Sequence, residues 1–560
     1  MKPTLPRDGD DLLRSPAVPA QHPAPDSTDK GSDAHNLSGA FLARAALLTA
    51  VLSAAGSLLG LGRDQALAHL FGAGRETDAF LVAWTVPEVA STMLIEDGLA
   101  FMLVPAFSAA IAARGRSEPG AREQVQDPVR ALVAGTLPRL TLAFLACSAL
   151  LMISAPQLVA LLAPGLPDPR LAIDCTRLTA SCFLTFGLTG YCSAALRAHS
   201  SYLAPAAIYI AYNTGIIVTL LVLADRWGVR AAAAGVAVGG CLMVLVQVPS
   251  LHRRLKRTAA RCIADEKGAK ATKRQPMDLA LIAAVLLFAL CRQAQVFIER
   301  FLASPLPSGA ISHLNYAQKV AQLPMVLSLM VCTVTFPVVA KALARGDTER
   351  ARDRVERDLA LAACVVLCGA SVVFACAPQI IQLLFQRGAF TAEDTAATAS
   401  IMRVYSLGLL GHCLVGALVR SYFSAGRPTW YPVAAMAAGM TLTAGVGTWA
   451  VGVWGVGGIA AANALGITFT AVLLLTAMDK RSVPVRIPAV LLELGKTVLS
   501  AVVAAAAGLL CSAHLAQPMA ALAAGCLAIA VVFGLLLWGL RVQAFLPAVH
   551  LVTRKLRHAH

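Results

Sequence analysis

The stretch APQLVALL at Ala155–Leu162 recurs as APQIIQLL at residues 377–384, an offset of 222 positions. The similarity continues downstream, where FGLTGYC at residues 186–192 matches LGLLGHC at residues 407–413. A duplicated, strongly apolar unit of roughly two hundred residues is typical of transporters built from two half-molecules. In that architecture the substrate binds between the halves, so the repeat predicts both a fold and the location of its site.

The composition is that of a membrane protein. Of the 560 residues, 57% are hydrophobic and 14% are charged, whereas about a quarter are charged in soluble proteins. A helix needs about 20 apolar residues to cross a bilayer, and long continuous runs favour helices over a barrel. We therefore predict an all-α polytopic membrane protein of about 14 transmembrane helices. The predicted spans are 45–71, 76–112, 130–154, 172–196, 202–224, 229–251, 278–302, 308–340, 359–385, 394–424, 430–452, 454–478, 490–512 and 519–541.

The duplication divides these spans into two six-helix lobes and two extra C-terminal helices. Each lobe has an even number of crossings, so the two copies enter the membrane in the same orientation, as parallel repeats do. The expected segments are a disordered cytoplasmic tail (1–38), the N-lobe (39–251), a basic cytoplasmic linker (252–277), the C-lobe (278–480), helices 13 and 14 (481–545) and a cytoplasmic tail (546–560).

The net charge of +16 is distributed on one side of the predicted membrane. Basic residues follow the even-numbered spans, whereas the connection at residues 303–307 contains neither Lys nor Arg. This asymmetry is the positive-inside signal, and it predicts that both termini are cytoplasmic. The positive charge therefore reflects topology, and we expect no nucleic-acid partner.

The sequence offers no catalytic constellation. It contains no GxSxG, no P-loop, no HExxH and no CxxC among its 14 cysteines, so neither an enzyme nor a metal site is expected. We expect no cofactor. Transport would then draw its energy from the membrane potential or from a gradient of a monovalent cation.

Ionisable residues inside the predicted spans are the candidate site residues. Each costs a few kcal/mol on insertion scales, so such a residue usually faces a water-filled cavity or a charged partner. The alternatives for each are an intramembrane ion pair or a side chain that reaches the interface, and Asp64, Glu299 and Arg300 lean towards these. The candidates for lining a substrate cavity are Arg63, Asp78, Glu96, Asp97, Arg292, Lys319 and Arg403.

Four strings carry a resemblance to a known family. They are GRDQALAHLFGAGRETDAFLVAW (62–84), SGAISHLNYAQKVAQLP (308–324), LLFQRGAFTAEDTA (383–396) and LVRSYFSAGRPTWYPV (418–433). Here the chain closely resembles the MurJ/MviN family of lipid II flippases, within the superfamily that also holds multidrug antiporters and polysaccharide flippases. With the pattern of spans, the resemblance covers about residues 45–545.

The resemblance implies a cavity between two lobes in the bacterial cytoplasmic membrane. Such a cavity accepts a lipid-linked disaccharide-peptide diphosphate at the cytoplasmic face and releases it at the outer face by alternating access. The implied partners are this lipid-linked glycan, membrane lipids and proteins of cell-wall synthesis. Family cavity residues match Arg63, Asp78 and Glu96.

The chain departs from the family at several cationic positions. Where the family has arginines, this chain has Ser57, Ser91-Thr92 and Lys319. Fewer cationic side chains would weaken diphosphate binding, so another undecaprenyl-diphosphate-linked oligosaccharide, such as an exopolysaccharide or O-antigen unit, is the alternative cargo. A multidrug antiporter is a more distant alternative. Sodium coupling is also left open, because spans 430–452 and 454–478 contain no acidic residue.

Overall fold

The computed structural model describes residues 29–96, 98–114, 127–261, 279–328, 347–424, 429–481 and 484–543. The first half contains α1 Asp29–Phe71, α2 Arg75–Ala90, a π-helical turn Ser91–Glu96, α3 Gly98–Arg114, α4 Pro128–Ile153, α5 Ala155–Leu162, α6 Pro169–Ala180, α7 Cys182–Ala198, α8 Leu203–Trp227 and α9 Arg230–Arg261. The second half contains α10 Leu279–Ala303, α11 Ala310–Ala321, α12 Thr348–Ala375, α13 Ala377–Phe385, α14 Ala392–Ser424, α15 Tyr431–Trp454, α16 Val456–Arg481, α17 Ile487–Ala513 and α18 Pro518–Gly539.

The prediction of an all-α polytopic fold is confirmed, since these described residues contain no strand. Among them, 11 helices are long and apolar enough to cross a membrane. The predicted count of 14 is therefore not confirmed. The other predicted spans, 45–71, 278–302 and 308–340, are not among the 11, and residues 329–340 lie outside the described residues.

Several predicted boundaries are wrong, most often where proline occurs. The span predicted at 359–385 ends at Ala375, and α13 starts separately with Pro378 in its first turn. Proline cannot continue a helix because it lacks the N–H and clashes with the preceding turn. Likewise α11 ends at Ala321, three residues before Pro324.

The expected tails and linker also differ from the structure. Helix α1 begins at Asp29, so residues 29–38 are helical and not disordered as predicted; no proline interrupts the chain between Asp29 and Phe71. Helix α9 runs to Arg261, into the predicted linker. Residues 1–28, 262–277 and 544–560 of the predicted tails and linker lie outside the described residues.

The repeated octapeptides form the same structure twice. Both α5 and α13 are short helices that follow a long helix after a single-residue break. Each buries one face, formed by Ala155, Val159 and Leu162 in α5 and by Ala377, Ile381 and Phe385 in α13. This spacing of about four residues is that of one face of an amphipathic helix.

The two halves also pack their helices in corresponding ways. In the first half α1 packs on α8, α8 on α9, and α9 on α7. In the second half α10 packs on α15, α15 on α16, and α16 on α14. Helices α17 and α18 lie outside this duplication: both pack on α12, and α18 also packs on α13.

The halves meet closely at one end of the molecule, where α1 ends and α2 begins. The amide of Ala389, in the loop before α14, donates to the carbonyl of His69 in α1 at 2.9 Å. Gly72 and Gly388 both have positive φ, +64° and +62°. A Cβ at Gly388 would overlap the His69 carbonyl, and one at Gly72 would lie 2.6 Å from the Ala389 carbonyl oxygen. Glycine therefore permits both the turn and the backbone contact.

Candidate functional site

A cavity of about 450 Å³ lies beside the interface between the halves. Helices α1 and α2, the π-helical turn and α8 form most of its wall, and α10 contributes one side chain. Its lining residues are Gly56, Ser57, Gly60, Arg63, Trp84, Pro87, Glu88, Ser91, Thr92, Glu96, Phe186, Tyr209, Tyr212, Asn213 and Gln293. Two of the predicted cavity residues, Arg63 and Glu96, are in this set. So are Ser57, Ser91 and Thr92, the positions where the chain departs from the family pattern.

The Arg63 guanidinium is held on three sides. Its Nε and Nη2 donate to Asp64 Oδ1 at 3.0 and 2.7 Å, and its Nη1 donates to Asn213 Oδ1 at 3.1 Å. The guanidinium carbon lies 4.2 Å from the ring centroid of Trp84, a cation–π distance. A buried guanidinium fixed in this way is pre-organised to bind an anion such as a phosphate.

Asp64 links the two halves through a second cation. Its Oδ2 accepts a hydrogen bond from Lys319 Nζ of α11 at 3.0 Å. The Asp64 side chain is 8% exposed and that of Lys319 is 32% exposed, so this ion pair is partly shielded from solvent. One carboxylate therefore pairs with two cations, and the cluster of Arg63, Asp64 and Lys319 keeps one positive charge.

Glu96 lies at a different part of the cavity wall, at the end of the π-helical turn. Its Oε1 accepts hydrogen bonds from Tyr209 Oη at 2.9 Å and from Ser91 Oγ at 3.3 Å. Ser91 Oγ and Tyr209 Oη are themselves 3.2 Å apart. The three side chains therefore form a closed triangle of hydrogen-bonding groups, and Glu96 itself is exposed.

Asp78 belongs to the contact between the halves and not to the cavity wall. Its Oδ2 accepts from the amide of Gly309 at 2.6 Å, and its Oδ1 accepts from the amide and hydroxyl of Ser312 at 2.8 and 2.5 Å. Asp78 of α2 thus caps the N-terminus of α11 in the other half. A carboxylate is stabilised at that position by the free amides and the helix dipole.

The other candidates are dispersed. Arg403 Nε donates to the carbonyl of Phe374 at 3.0 Å, in the last turn of α12, so it stabilises a helix C-terminus. Arg292 is exposed on α10, next to the cavity residue Gln293, but neither Arg292 nor Arg403 is a lining residue of this cavity. Asp97 lies outside the described residues.

A second polar cluster is buried in the C-terminal half. Glu299 Oε1 accepts hydrogen bonds from Asn463 Nδ2 and, at 3.3 Å, from Gln295 Nε2. Asn463 Oδ1 is also 3.3 Å from His412 Nε2. Glu299 and Asn463 are 4% and 1% exposed. The sequence predicts for Glu299 an intramembrane ion pair or a side chain that reaches the interface, and this cluster was missed, although Glu299 lies four residues after Gln295 and so on the same helix face.

Sequence reasoning also missed most other residues of the cavity wall, among them the side chains of Trp84, Glu88, Tyr209, Asn213 and Gln293. Glu88 and Glu96 are about two helical turns apart, a spacing that places both acids on one face of a helix and could have indicated a polar wall. Asn213 was a usable signal as well, because an amide within a membrane span usually bonds to another helix. In the part of the chain that the structure describes, no group of three His, Cys, Asp or Glu could hold a metal ion.

A comparison with protein families matches residues 67–537 to the family described as lipid II flippase MurJ. The chain belongs to this family. The resemblance seen in the sequence is thereby confirmed, and it extends from the end of α1 into the last turn of α18. MurJ membership also identifies the chain as a multi-pass membrane protein of a flippase family.

Curated MurJ proteins are similar over most of the chain. It is 26% identical over 408 residues to lipid II flippase MurJ of Burkholderia cenocepacia, covering 68% of this chain and 73% of that protein. It is also 26% identical over 473 residues to probable lipid II flippase MurJ of Bdellovibrio bacteriovorus, covering 81% and 86%.

Solved structures show the same fold. The structure of lipid II flippase MurJ in an inward closed conformation has a TM-score of 0.67 and 20% identity, and covers 88% of this chain and 99% of that one. An inward-facing multidrug resistance MATE transporter of the MOP superfamily has a TM-score of 0.59 and 14% identity, and covers 80% and 98%. The MurJ and MATE folds are therefore both similar to the fold of this chain.

Proposed function

We propose that this chain is a flippase that moves lipid II from the inner to the outer leaflet of the cytoplasmic membrane by alternating access. The observation that carries the proposal is the cluster of Arg63, Asp64 and Lys319, which joins the two halves beside a polar cavity. The proposal is supported by membership in the MurJ family and by two relatives, one named lipid II flippase MurJ and the other probable lipid II flippase MurJ.

The cluster can couple substrate binding to movement of the lobes. A diphosphate that enters the cavity competes with the Asp64 carboxylate for Arg63 and Lys319. Arg63 stays anchored through Asn213 and the Trp84 ring, whereas Lys319 has only Asp64 as a hydrogen-bond partner among the described residues. Binding would therefore break the ion pair between the halves, because charge-assisted bonds to phosphate replace it.

The end of the molecule closed by Asp78, Gly309 and Ser312 would be the outer gate. This assignment follows from the positive-inside prediction, which puts the α1–α2 connection on the outer side and both termini in the cytoplasm. A cavity of about 450 Å³ has room for only part of a lipid-linked saccharide. Opening the lobes on the cytoplasmic side would admit the headgroup, and opening the outer gate would release it.

Coupling to a monovalent cation or the membrane potential is part of the proposal. The buried carboxylate of Glu299, whose hydrogen-bond donors Asn463 and Gln295 are neutral amides, offers oxygen ligands to a small cation. Carboxylate and amide oxygens are the ligands that hard cations prefer. Membrane lipids and cell-wall synthesis proteins would be the partners of such a flippase.

A second cargo is favoured by one observation. Ser57, Ser91 and Thr92 all line the cavity, and each puts a neutral hydroxyl where the family pattern has an arginine. A less cationic cavity with more hydroxyl groups suits a different undecaprenyl-diphosphate-linked oligosaccharide. The two cargoes share the diphosphate and differ in the saccharide.

The test is rescue of a bacterium depleted of its own lipid II flippase. We expect the wild-type chain to restore growth and Arg63→Ala, expressed at the same level in the membrane, to fail. Loss of a buried, bidentate cation from a diphosphate site should lower the affinity by at least ten-fold. Failure of well-expressed wild type would reject lipid II, and rescue by Arg63→Ala would reject the site.

A further inference from the structure

We infer that Ser91, Glu96 and Tyr209 form a subsite for the hydroxyl groups of the sugar attached to the diphosphate. The inference rests on the proposed function, since it assigns one part of the cavity to the saccharide and another to the diphosphate. Arg63 would contact the diphosphate. Glu96 and its two hydroxyl partners would determine which saccharide is accepted.

The π-helical turn is what brings Ser91 and Glu96 together. Residues five positions apart in an α-helix face different directions, because each residue rotates the helix by about 100°. In a π-helical turn the hydrogen bonds run from i to i+5, which places those residues above one another. Ser91 Oγ accordingly lies 3.3 Å from Glu96 Oε1. Such turns are frequent at functional sites.

Helix α8 fixes this subsite relative to Arg63. Asn213 accepts a hydrogen bond from Arg63 through Oδ1, and its Nδ2 donates to the carbonyl of Tyr209 at 2.9 Å and to that of Gly56 at 3.1 Å. Tyr209 therefore lies one helical turn from the residue that orients the guanidinium. In a lipid-linked saccharide the first sugar is bonded directly to the diphosphate, so its subsite must adjoin the cationic one within the same cavity.

The chemistry of the triangle suits hydroxyl groups. A carboxylate has about four lone-pair positions, and Glu96 uses Oε1 for both of its hydrogen bonds, while Oε2 accepts none from the described residues. Ser91 and Tyr209 each donate their single hydroxyl proton to Glu96, so their oxygens remain as acceptors for sugar hydroxyl groups. Glu96 makes no ion pair with a cation in the described part of the chain. An acceptor that already binds two hydroxyl groups is well matched to a pair of neighbouring sugar hydroxyls.

Binding measurements with three lipids test the subsite. The full-length protein in nanodiscs would be titrated with undecaprenyl diphosphate, with undecaprenyl diphosphate carrying the disaccharide without peptide, and with complete lipid II. We expect Glu96→Gln and Tyr209→Phe to weaken binding of both saccharide lipids by roughly ten-fold and to leave undecaprenyl diphosphate unchanged. Arg63→Ala should weaken all three.

Tyr431→Phe is the matched control, because it removes a tyrosine hydroxyl that lies in the second half, away from the subsite, and bonds to the Leu473 carbonyl in that same half. Three outcomes would overturn the subsite. Glu96→Gln could weaken binding of all three lipids equally, or weaken binding of the peptide-bearing lipid alone. Alternatively, neither Glu96→Gln nor Tyr209→Phe could weaken binding of any lipid. Wild-type protein that binds none of the three would overturn the proposed function, and the subsite with it. Thermal unfolding of each variant separates a binding defect from misfolding.

Discussion

The two halves of the molecule share a packing pattern, yet their buried polar clusters differ in charge. In the first half Arg63 and Asp64 lie at a cavity and reach Lys319 across the interface. In the second half Glu299 hydrogen-bonds with Asn463 and Gln295, two neutral amides. The first cluster contains two cations for one acid, and the hydrogen-bonded core of the second contains one acid with neutral donors.

The difference shows what a duplicated backbone leaves free to change. The repeat preserves which helices touch, as α8 with α9 and α15 with α16, because those contacts bury apolar faces. The polar residues between the helices are not bound by that requirement. A cationic cluster in one half can then serve an anionic cargo, and an acidic cluster in the other can serve a cation.

The largest effect on stability is expected from Asp64→Asn. The substitution leaves Arg63 and Lys319 near each other without the carboxylate that neutralises them, and breaking such a partly buried pair costs roughly 3 kcal/mol or more. We expect a clear loss of thermal stability in detergent and loss of rescue in the depleted bacterium. Both can be measured on the same membrane preparation.

The double variant Asp64→Asn with Lys319→Gln is the control for this prediction. Removing the second cation as well should restore part of the stability, because Arg63 keeps its contacts with Asn213 and Trp84. A double variant no more stable than Asp64→Asn alone would contradict the view that Asp64 stabilises the fold by pairing with both cations.

An intermediate effect is expected at the closed end of the molecule. In Asp78→Asn the side-chain NH₂ group replaces one carboxylate oxygen and faces a hydrogen-bond donor. At least one of the bonds from Gly309 and Ser312 is therefore lost, which should lower the free energy of unfolding by about 1–3 kcal/mol. Hydrogen–deuterium exchange of the 309–312 amides should rise by roughly ten-fold or more. These amides report directly on the contact because two of them donate to Asp78.

Asp174→Asn is a matched control, since it changes an exposed aspartate that pairs with Arg230 within the first half. Its effect on exchange at residues 309–312 should be negligible, because exposed ion pairs contribute little. Unchanged exchange in Asp78→Asn would mean that other contacts, such as that of Ala389 with His69, keep this end closed without Asp78.

Much of the fold follows from local features of the sequence. The apolar runs predicted the helices, and the octapeptide repeat predicted a duplicated unit. Arg63 and Glu96 were predicted to line a cavity because an ionisable residue inside a membrane needs water or a charged partner. The helix ends near Pro324 and Pro378 were missed because both prolines lie within long apolar segments, which were read as single spans.

The partners of the polar residues could not be predicted in the same way. Asp78 bonds to residues 231 and 234 positions away, and Asp64 to Lys319 at a separation of 255. Such contacts depend on how the two lobes pack against each other, and the periodicity of a helix carries no information about that packing. The π-helical turn that joins Ser91 to Glu96 was also hidden, because it differs from an α-helix by a local change in hydrogen bonding and not by composition.

The smallest effect on stability is expected from Glu299→Gln. Glutamine keeps an amide oxygen that can accept the hydrogen bond of Asn463 or Gln295, so the change in unfolding free energy should stay within about 1 kcal/mol. The carboxylate charge needed to hold a cation is lost, however. If Glu299 binds a coupling ion, Na⁺ should raise the unfolding temperature of the wild type and not of Glu299→Gln, because a ligand stabilises only the state that binds it.

The same titration with K⁺ and choline separates a specific site from ionic strength. Equal stabilisation of the wild type by all three cations would reject a cation site in the second half. If Glu299→Gln strongly lowers the unfolding temperature in the absence of added Na⁺, the main role of Glu299 is to stabilise the fold. In that case the energy for transport would have to come from the membrane potential, acting on the net positive charge of the cluster of Arg63, Asp64 and Lys319.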